Sequence, residues 1–408
     1  MYKFKNDDLT LTCINLTGEI KKNNPLLKSK EITIFNSSVL PIKKSKNFLV
    51  ASRGWYGNIR TWDGLNFLII SLFDENYKKI KQNIIDIDLT ILKEKNLKFK
   101  EFKQRIIEHQ KTVLEGPEDP RLFYYNDDIH ILVNEIDEVN KDPRRRLMYL
   151  GTIDVNTLDY KTPKQVVCKE LSTNFEKNWG SFTYKNKLHM VYDINPLKIM
   201  SVDSRYNCKM VVNKNDRIIN KIENSFGELN FHLRNSSNLI PFGKTLLGLG
   251  HAVLDYKKTT DINKYLIPSL EDSKYDKNDK EYFKKYFKLY MGFFYCLDMD
   301  KKEITKLSPF FQLPSQESKQ ELIFFPTTMY EDNKRFLNIS YSLGDNRSYV
   351  CKIHSEVVKT SLYDKENIDM HMNYNMNSNY YLELLRTLRV INNFPHSPKN
   401  YNKFVDTK

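Results

Sequence analysis

Paired cysteines are missing from this 408-residue chain: its five, Cys13, Cys168, Cys208, Cys296 and Cys351, are odd in number, widely spaced and without a Cys-x-x-Cys. That spacing argues against a disulfide framework and a zinc site, and predicts reduced thiols in a cytoplasmic compartment. The eight histidines form no His-Glu-x-x-His, so no metal is expected. No run approaches the roughly 18 apolar residues of a membrane span. The first residues, with Lys3, Lys5, Asp7 and Asp8, hold no sustained apolar segment, which predicts no signal peptide. Phosphate-cradling glycine loops are absent, so neither a Rossmann-type domain nor a cofactor is expected.

What the chain does have is aromatic and β-branched residues, with 25 Tyr and 24 Phe and a hydrophobic share of 40%. They suit strands and sugar-stacking surfaces, and equally a plain sheet core. Short runs such as Ile32-Thr33-Ile34-Phe35, Phe48-Leu49-Val50, Phe67 to Phe73, Ile129 to Val133 and Leu188 to Tyr192 are bounded by Asn, Asp, Gly and Pro. This spacing predicts an all-β sandwich, barrel or propeller. Turn-like linkers at Tyr125-Asn126-Asp127-Asp128, Tyr184-Lys185-Asn186-Lys187, Pro241-Phe242-Gly243-Lys244 and Glu331-Asp332-Asn333-Lys334 each follow a polar motif and precede a strand. They mark a weak repeat of roughly 60 to 80 residues. Four or five such units fit a propeller with a central site, and a pair of β-sandwiches is the alternative.

Residues 1–29 form a polar lead-in that closes a sheet or wraps the domain, and residues 30–356 carry the strand pattern. Residues 257–290, dense in Lys, Asp and Tyr, read as an insertion within one blade, with a short helix at Asn278 to Lys288. In the tail, residues 357–408, Tyr381, Leu382, Leu385, Leu388 and Ile391 recur at helical spacing and predict a docked C-terminal helix. The net charge of +13 is spread through Asn- and Asp-rich stretches with no nucleic-acid module. Such a field suits an anionic small molecule rather than nucleic acid.

The motif around which the chain is organised is Gly116-Pro117-Glu118-Asp119-Pro120-Arg121-Leu122-Phe123. Prolines on both sides exclude a helix and set two adjacent acids at a rigid turn leading into a strand. Arg121 can hold Asp119 by a charge-assisted hydrogen bond, while Glu118 raises the cost of ionising both acids. The alternative is a turn in which Arg121 neutralises an acid and nothing reacts.

Further motifs occur in order: Phe35-Asn36-Ser37-Ser38, Leu49 to Arg53, Arg60-Thr61-Trp62-Asp63-Gly64, Glu176-Lys177-Asn178-Trp179, Gly248-Leu249-Gly250-His251, and Ile339 to Asp345. In order and spacing the set, over roughly residues 30 to 355, resembles glycoside hydrolase family 130, the β-mannoside phosphorylases and mannosidases, and the related β-1,2-mannosyltransferases. The resemblance implies a five-bladed β-propeller that transfers or cleaves a β-linked hexosyl unit, mannosyl foremost, with inversion. It implies Asp119 as the general acid. Contacts to the sugar are implied for Asn36, Ser37, Arg53 and Asp345, with Asp63, Glu118, Arg121, Trp179, Tyr192 and Asp193 as further substrate candidates.

Lys177, Asn178, Arg234 and His251 are the candidates for an anion site. Trp179 either packs beneath Lys177 and Asn178 or stacks on sugar. The chain departs from the phosphorylase pattern at Val191-Tyr192-Asp193-Ile194-Asn195-Pro196, where the family carries a phosphate-binding arginine. The basic field, Lys177 and the missing arginine together favour glycosyl transfer from a sugar phosphate or sugar nucleotide, or reversible phosphorolysis with phosphate, over hydrolysis. A β-mannoside hydrolase and a catalytically silent glycan-binding propeller are the alternatives.

Overall fold

The structure, a computed structural model, describes residues 12–58, 63–85, 116–137, 142–171, 176–224, 230–256 and 287–366, apart from 309, 312, 314–322, 333 and 334. The helical tail expected at 378–391, most of the insertion, and the Asn333-Lys334 turn lie outside them.

Period-two alternation of apolar residues builds strands whose two faces both need covering. In β3 (Phe48–Asn58) Leu49 and Ala51 face one neighbouring sheet and Val50 the other. In β7 (Asp128–Asp137) Ile131 and Val133 face one way and Leu132 the other. Sheets with two apolar faces can stack in a row or close into a ring, and here the row closes into a five-bladed β-propeller.

Blade 1 is β2 (Ile32–Pro41), β3, β4 (Asp63–Phe73) and β5 (Lys79–Ile85). Blade 2 is β6 (Glu118–Tyr125), β7, β8 (Asp142–Asp154) and β9 (Asp159–Gln165). Blade 3 holds β11 (Gly180–Tyr184), β12 (Lys187–Ile194), β13 (Leu197–Val202) and β14 (Asn207–Lys214), with β10 (Val167–Cys168) parallel to β14. Blade 4 holds β15 (Asn230–Asn235), β16 (Ile240–Phe242), β17 (Thr245–Tyr256), β18 (Phe287–Asp298) and β19 (Glu303–Leu307). Blade 5 is β20 (Phe324–Asp332), β21 (Phe336–Leu343) and β22 (Arg347–His354), completed by the N-terminal β1 (Thr12–Asn15).

Each seam between blades has its own apolar cluster. Leu49, Ile70, Leu122 and Ile131 join blades 1 and 2; Leu132, Met148, Trp179 and Met190 join 2 and 3. Val191, Ile199, Leu233 and Phe293 join 3 and 4; Leu249, Phe294, Phe324 and Tyr341 join 4 and 5. Ile34, Val50, Phe67, Tyr330 and Val350 close the ring between 5 and 1. That last seam also carries hydroxyls: the amides of Asn36, Ser37 and Val39 donate to Ser342, Ser348 and Thr328 at 2.5, 3.1 and 2.8 Å.

The turns at Asn126-Asp127 and Lys185-Asn186 have positive φ at both central residues (49° and 66°; 49° and 59°), the twist a two-residue hairpin needs. The helix expected over 278–288 is not formed at its end: Phe287 and Lys288 open β18, paired with Tyr256 and Asp255, because the ladder with β17 satisfies their backbone. The chain past residue 356 continues through a helix (Ser355–Thr360) into β23 (Tyr363–Asp364), which pairs with β19 of blade 4. No helix of the described residues is long and apolar enough to cross a membrane.

Candidate functional site

The first strands β2, β6 and β20 touch one another, and each is interrupted by a register shift: between Phe35 and Ser38, between Glu118 and Arg121, and between Pro326 and Thr328. A bulge re-aims a side chain out of the alternating pattern. At two of these bulges the freed residue is polar and in the left-handed region, Asn36 at φ 50° and Asp119 at φ 49°. Outside glycine that conformation is uncommon, and Asn and Asp tolerate it best. The result is a direct hydrogen bond, Asn36 Nδ2 to Asp119 Oδ1, at 2.6 Å.

Arg53, 5% exposed on β3, holds both acids. Its Nη1 donates to Asp119 Oδ1 at 3.1 Å, its Nη2 to Glu118 Oε1 at 2.7 Å, and its Nε to Asn66 Oδ1 at 2.7 Å. Glu118 Oε1 also accepts from Asn66 Nδ2 at 3.0 Å and lies 3.2 Å from Arg146 Nη2. Arg146 in turn donates to the Gly116 carbonyl (3.1 Å) and to Asn134 Oδ1 (2.6 Å). Gly116, at φ 55°, passes so close to β4 that a Cβ would stand 2.1 Å from the Asn66 carbonyl, which is why the motif begins with glycine.

The relay continues from Asn134, whose amide donates to the Glu176 carbonyl, to Glu176 itself, which accepts from Trp179 Nε1 at 3.2 Å. Asn66, Asn134 and Arg146 escape sequence reasoning because in the chain they are ordinary polar residues within strands. Glu176 opens the Glu176-Lys177-Asn178-Trp179 motif, but nothing in the sequence marks its contacts with Asn134 and Trp179.

Burial would raise the Asp119 carboxyl, but Arg53, Arg121 and the hydrogen bonds from Asn36 and Arg53 outweigh it and hold the group below its usual range. Burial lowers Arg53, but Glu118, Asp119 and Asp345 outweigh that and raise it. Asp345, at φ 50° in the turn between β21 and β22, feels the same charges. Burial pushes its carboxyl up to about 6, with Asp119 and Glu118 adding to the rise and Arg53 opposing it.

Arg121 stands differently. It is 3% exposed, and none of its three guanidinium nitrogens has a hydrogen-bond partner among the described residues. Its guanidinium lies 5.1 Å from the Phe325 ring centre, and burial pushes it down to about 10 despite Asp119. The His251 ring meets the same phenyl, 5.1 Å between centroids in an edge-on arrangement. His251 is 1% exposed and shares a 2.5 Å hydrogen bond between its Nδ1 and Ser236 Oγ. It is held well below its ordinary value by burial first, and then by the cations Arg234, Arg121 and Lys177. Arg234 is its register partner across β15 and β17. Asn178, at φ 63°, has a buried Oδ1 with no partner among the described residues. Arg234, Arg121 and Lys177 thus all act on the buried His251 imidazole, as does the Asp119 carboxylate.

Ser37 is fully buried, with its hydroxyl on Ser52 Oγ at 2.7 Å. Trp179 is 2% exposed, its ring 5.7 Å from Tyr192 and its Nε1 on Glu176, so it packs beneath the loop and offers no open face. Asp193, at a bulge in β12, accepts the Ile194 amide at 2.9 Å and is raised by burial, with Lys198 opposing and Glu223 adding. These interactions tie Asp193 to its own blade, apart from the Arg53 cluster. Asp63 opens β4 opposite Asn58, and its side chain lies outside the described part.

No family model and no curated protein matches the chain. Solved structures do. A glycosyl hydrolase from Bacteroides ovatus matches with a TM-score of 0.50 at 11% identity, over 86% of this chain and 95% of that one. A mannose phosphorylase from Leishmania mexicana in complex with phosphate ion matches with 0.47 at 10%, over 79% and 84%. A β-1,2-mannobiose phosphorylase from Listeria innocua in complex with β-1,2-mannobiose matches with 0.46 at 11%, over 83% and 97%. At such identities the likeness, carried by the first of these, is one of fold.

Proposed function

We propose that the protein is a carbohydrate-active enzyme that forms a β-hexosyl linkage, mannosyl foremost, with inversion, by transfer from an anionic sugar phosphate or sugar nucleotide to a hydroxyl acceptor. The observation that carries this reading is the juxtaposition of one carboxylate aimed by Asn36 and Arg53 with a buried guanidinium, Arg121, that has no hydrogen-bond partner among the described residues. The resemblance of the ordered motifs to the β-mannoside phosphorylases and mannosyltransferases supplies the sugar class.

Inversion needs one protein carboxyl when the other reacting group is already an anion. In transfer from a glycosyl phosphate, Asp119 takes the proton of the acceptor hydroxyl as that oxygen attacks the anomeric carbon, and the phosphate leaves on the opposite face. In cleavage the same group returns the proton. A base must start ionised, and an acid must start protonated. Arg53 and Arg121 hold Asp119 ionised, which favours transfer over hydrolysis. Arg121, Lys177, Arg234 and neutral His251 would take the donor's phosphate. That binding places negative charge beside Asp119 and so raises its proton affinity in time for the transfer. Asn36, Arg53 and Asp345 would hold the hydroxyls of the transferred sugar, where fork and carboxylate geometry match neighbouring oxygens.

The test is a reaction screen followed by proton NMR, with mannose 1-phosphate, GDP-mannose and β-1,2-mannobiose, each with and without phosphate. Elongation from a donor supports transfer. Phosphate-dependent release of α-mannose 1-phosphate would mean a phosphorylase, release of free mannose without phosphate a hydrolase, and no turnover a binding propeller.

A further inference from the structure

The ring closes where β1 lies along β22, and each strand brings a cysteine to the same position. Cys13 is the register partner of Cys351 across this antiparallel pair. Their sulfurs stand 3.3 Å apart although the residues are separated by 338 in the chain. A disulfide bond is about 2.05 Å long, so an approach of roughly 1.2 Å, within the reach of small side-chain rotations, would close it.

The two thiols are unequal. Cys13 is partly exposed, and hydrogen bonds from Cys351 and from the Tyr341 hydroxyl (3.5 Å) favour its thiolate over the opposing effect of burial. Cys351 is fully buried, and its hydrogen bond to Cys13 together with burial keeps its proton on. A partly exposed cysteine whose thiolate is favoured, beside a fully buried one in contact with it, is the arrangement of an attacking and a resolving thiol. Cys168 and Cys208 are also register partners, across β10 and β14, but burial raises both thiols.

We propose that Cys13 and Cys351 are a site of reversible oxidation, a covalent latch that ties the N-terminal strand to the last blade when the protein meets a small-molecule disulfide. The Cys13 thiolate attacks one sulfur of the oxidant, forming a mixed disulfide and expelling the first thiolate. Cys351 then gives up its proton and attacks the Cys13 sulfur, displacing the second thiolate. The protein loses two protons and two electrons, and the oxidant leaves as two thiols. The latch adds a covalent tie to the four-residue strand Thr12–Asn15 that completes blade 5. It is independent of the sugar chemistry proposed above.

The test is to incubate the full chain with oxidised glutathione and map peptides without reduction. The expected result is a peptide linking Cys13 to Cys351, with a rise in Tm of roughly 5 °C that dithiothreitol reverses. Cys13→Ser and Cys351→Ser should each abolish the link and the rise, while Cys168→Ser keeps both. A persistent glutathione adduct on Cys13, a link only in urea-unfolded chain, a Cys168–Cys208 link in its place, or an unchanged Tm would each overturn the proposal. The map is read on the unaltered protein, so a serine variant that fails to fold leaves the outcome decided.

Discussion

Arg53 and Arg121 are 5% and 3% exposed and act on the same carboxylate, yet they stand in opposite states. Arg53 spends three nitrogens on Asp119, Glu118 and Asn66, and is raised by its acids. Arg121 spends none on any described residue and is pushed down to about 10. A buried cation whose desolvation is offset by acids belongs to the scaffold. One left without hydrogen bonds costs stability, and such a cost is expected where a ligand completes the arrangement. On the proposed reading the contrast divides the site into a part that aims Asp119 and a part that would take an anion.

The largest effect is expected at the carboxylate both arginines share. Asp119→Asn keeps an oxygen that can accept from Arg53 but can neither take nor give the proton, so turnover should fall by about 10²–10⁴. Sugar binding, read by calorimetry, should survive. Activity near that of the unaltered protein would remove Asp119 from the chemistry.

Next comes Arg53→Met, which takes the buried cation away from the partly exposed Glu118 and Asp119. Breaking a buried pair from one side costs about 3–5 kcal/mol, to be read by urea denaturation. Arg121→Met should behave oppositely: removal of a cation with no hydrogen bonds leaves urea stability unchanged or higher. Phosphate at about 100 times its Kd should stabilise the unaltered protein by about 2.7 kcal/mol, and the Met variant should lose this protection. If Arg121→Met destabilises as much as Arg53→Met, both arginines are scaffold and the anion site is lost from the proposal.

That division was only half visible in the chain. The strands could be read from runs such as Ile129 to Val133, and the hairpins from Asn126-Asp127 and Lys185-Asn186, because period-two burial and positive-φ turns are local properties. Asn36, Arg53 and Asp119 could be picked out from motifs, each of which marks a bulge or its neighbour. Their partners could not. Asn66 and Arg146 reach Glu118 only through the register of β4 and β8, and the missing partners of Arg121 depend on what three blades place around it. Charge balance at a buried site is a sum over distant segments, and no single stretch carries it. The Lys288 end of the expected helix failed for the same reason, since its ladder partner Asp255 lies across the insertion.

The smallest effect is the most discriminating, because it reads the reach of each arginine through a third group. Asp345 titrates near 6 in the folded protein, above its unfolded value of about 3.9. A raised carboxyl gives a contribution that is fully present below the unfolded value and is lost as pH climbs through about 6. Between pH 4 and 7 the unaltered protein should therefore lose up to roughly 2 kcal/mol relative to Asp345→Asn, with the difference level above that window. Asp119 acts in a separate window, since a lowered carboxyl contributes above its unfolded value and is lost only as pH falls below it. Asp345 is held down by Arg53, while Arg121 is not among the charges that move it. The Arg53→Met background should shift the Asp345 step to higher pH, and the Arg121→Met background should leave it in place. A shift in both would mean that the two guanidinium groups act as one field, and the division between scaffold and anion site would fail.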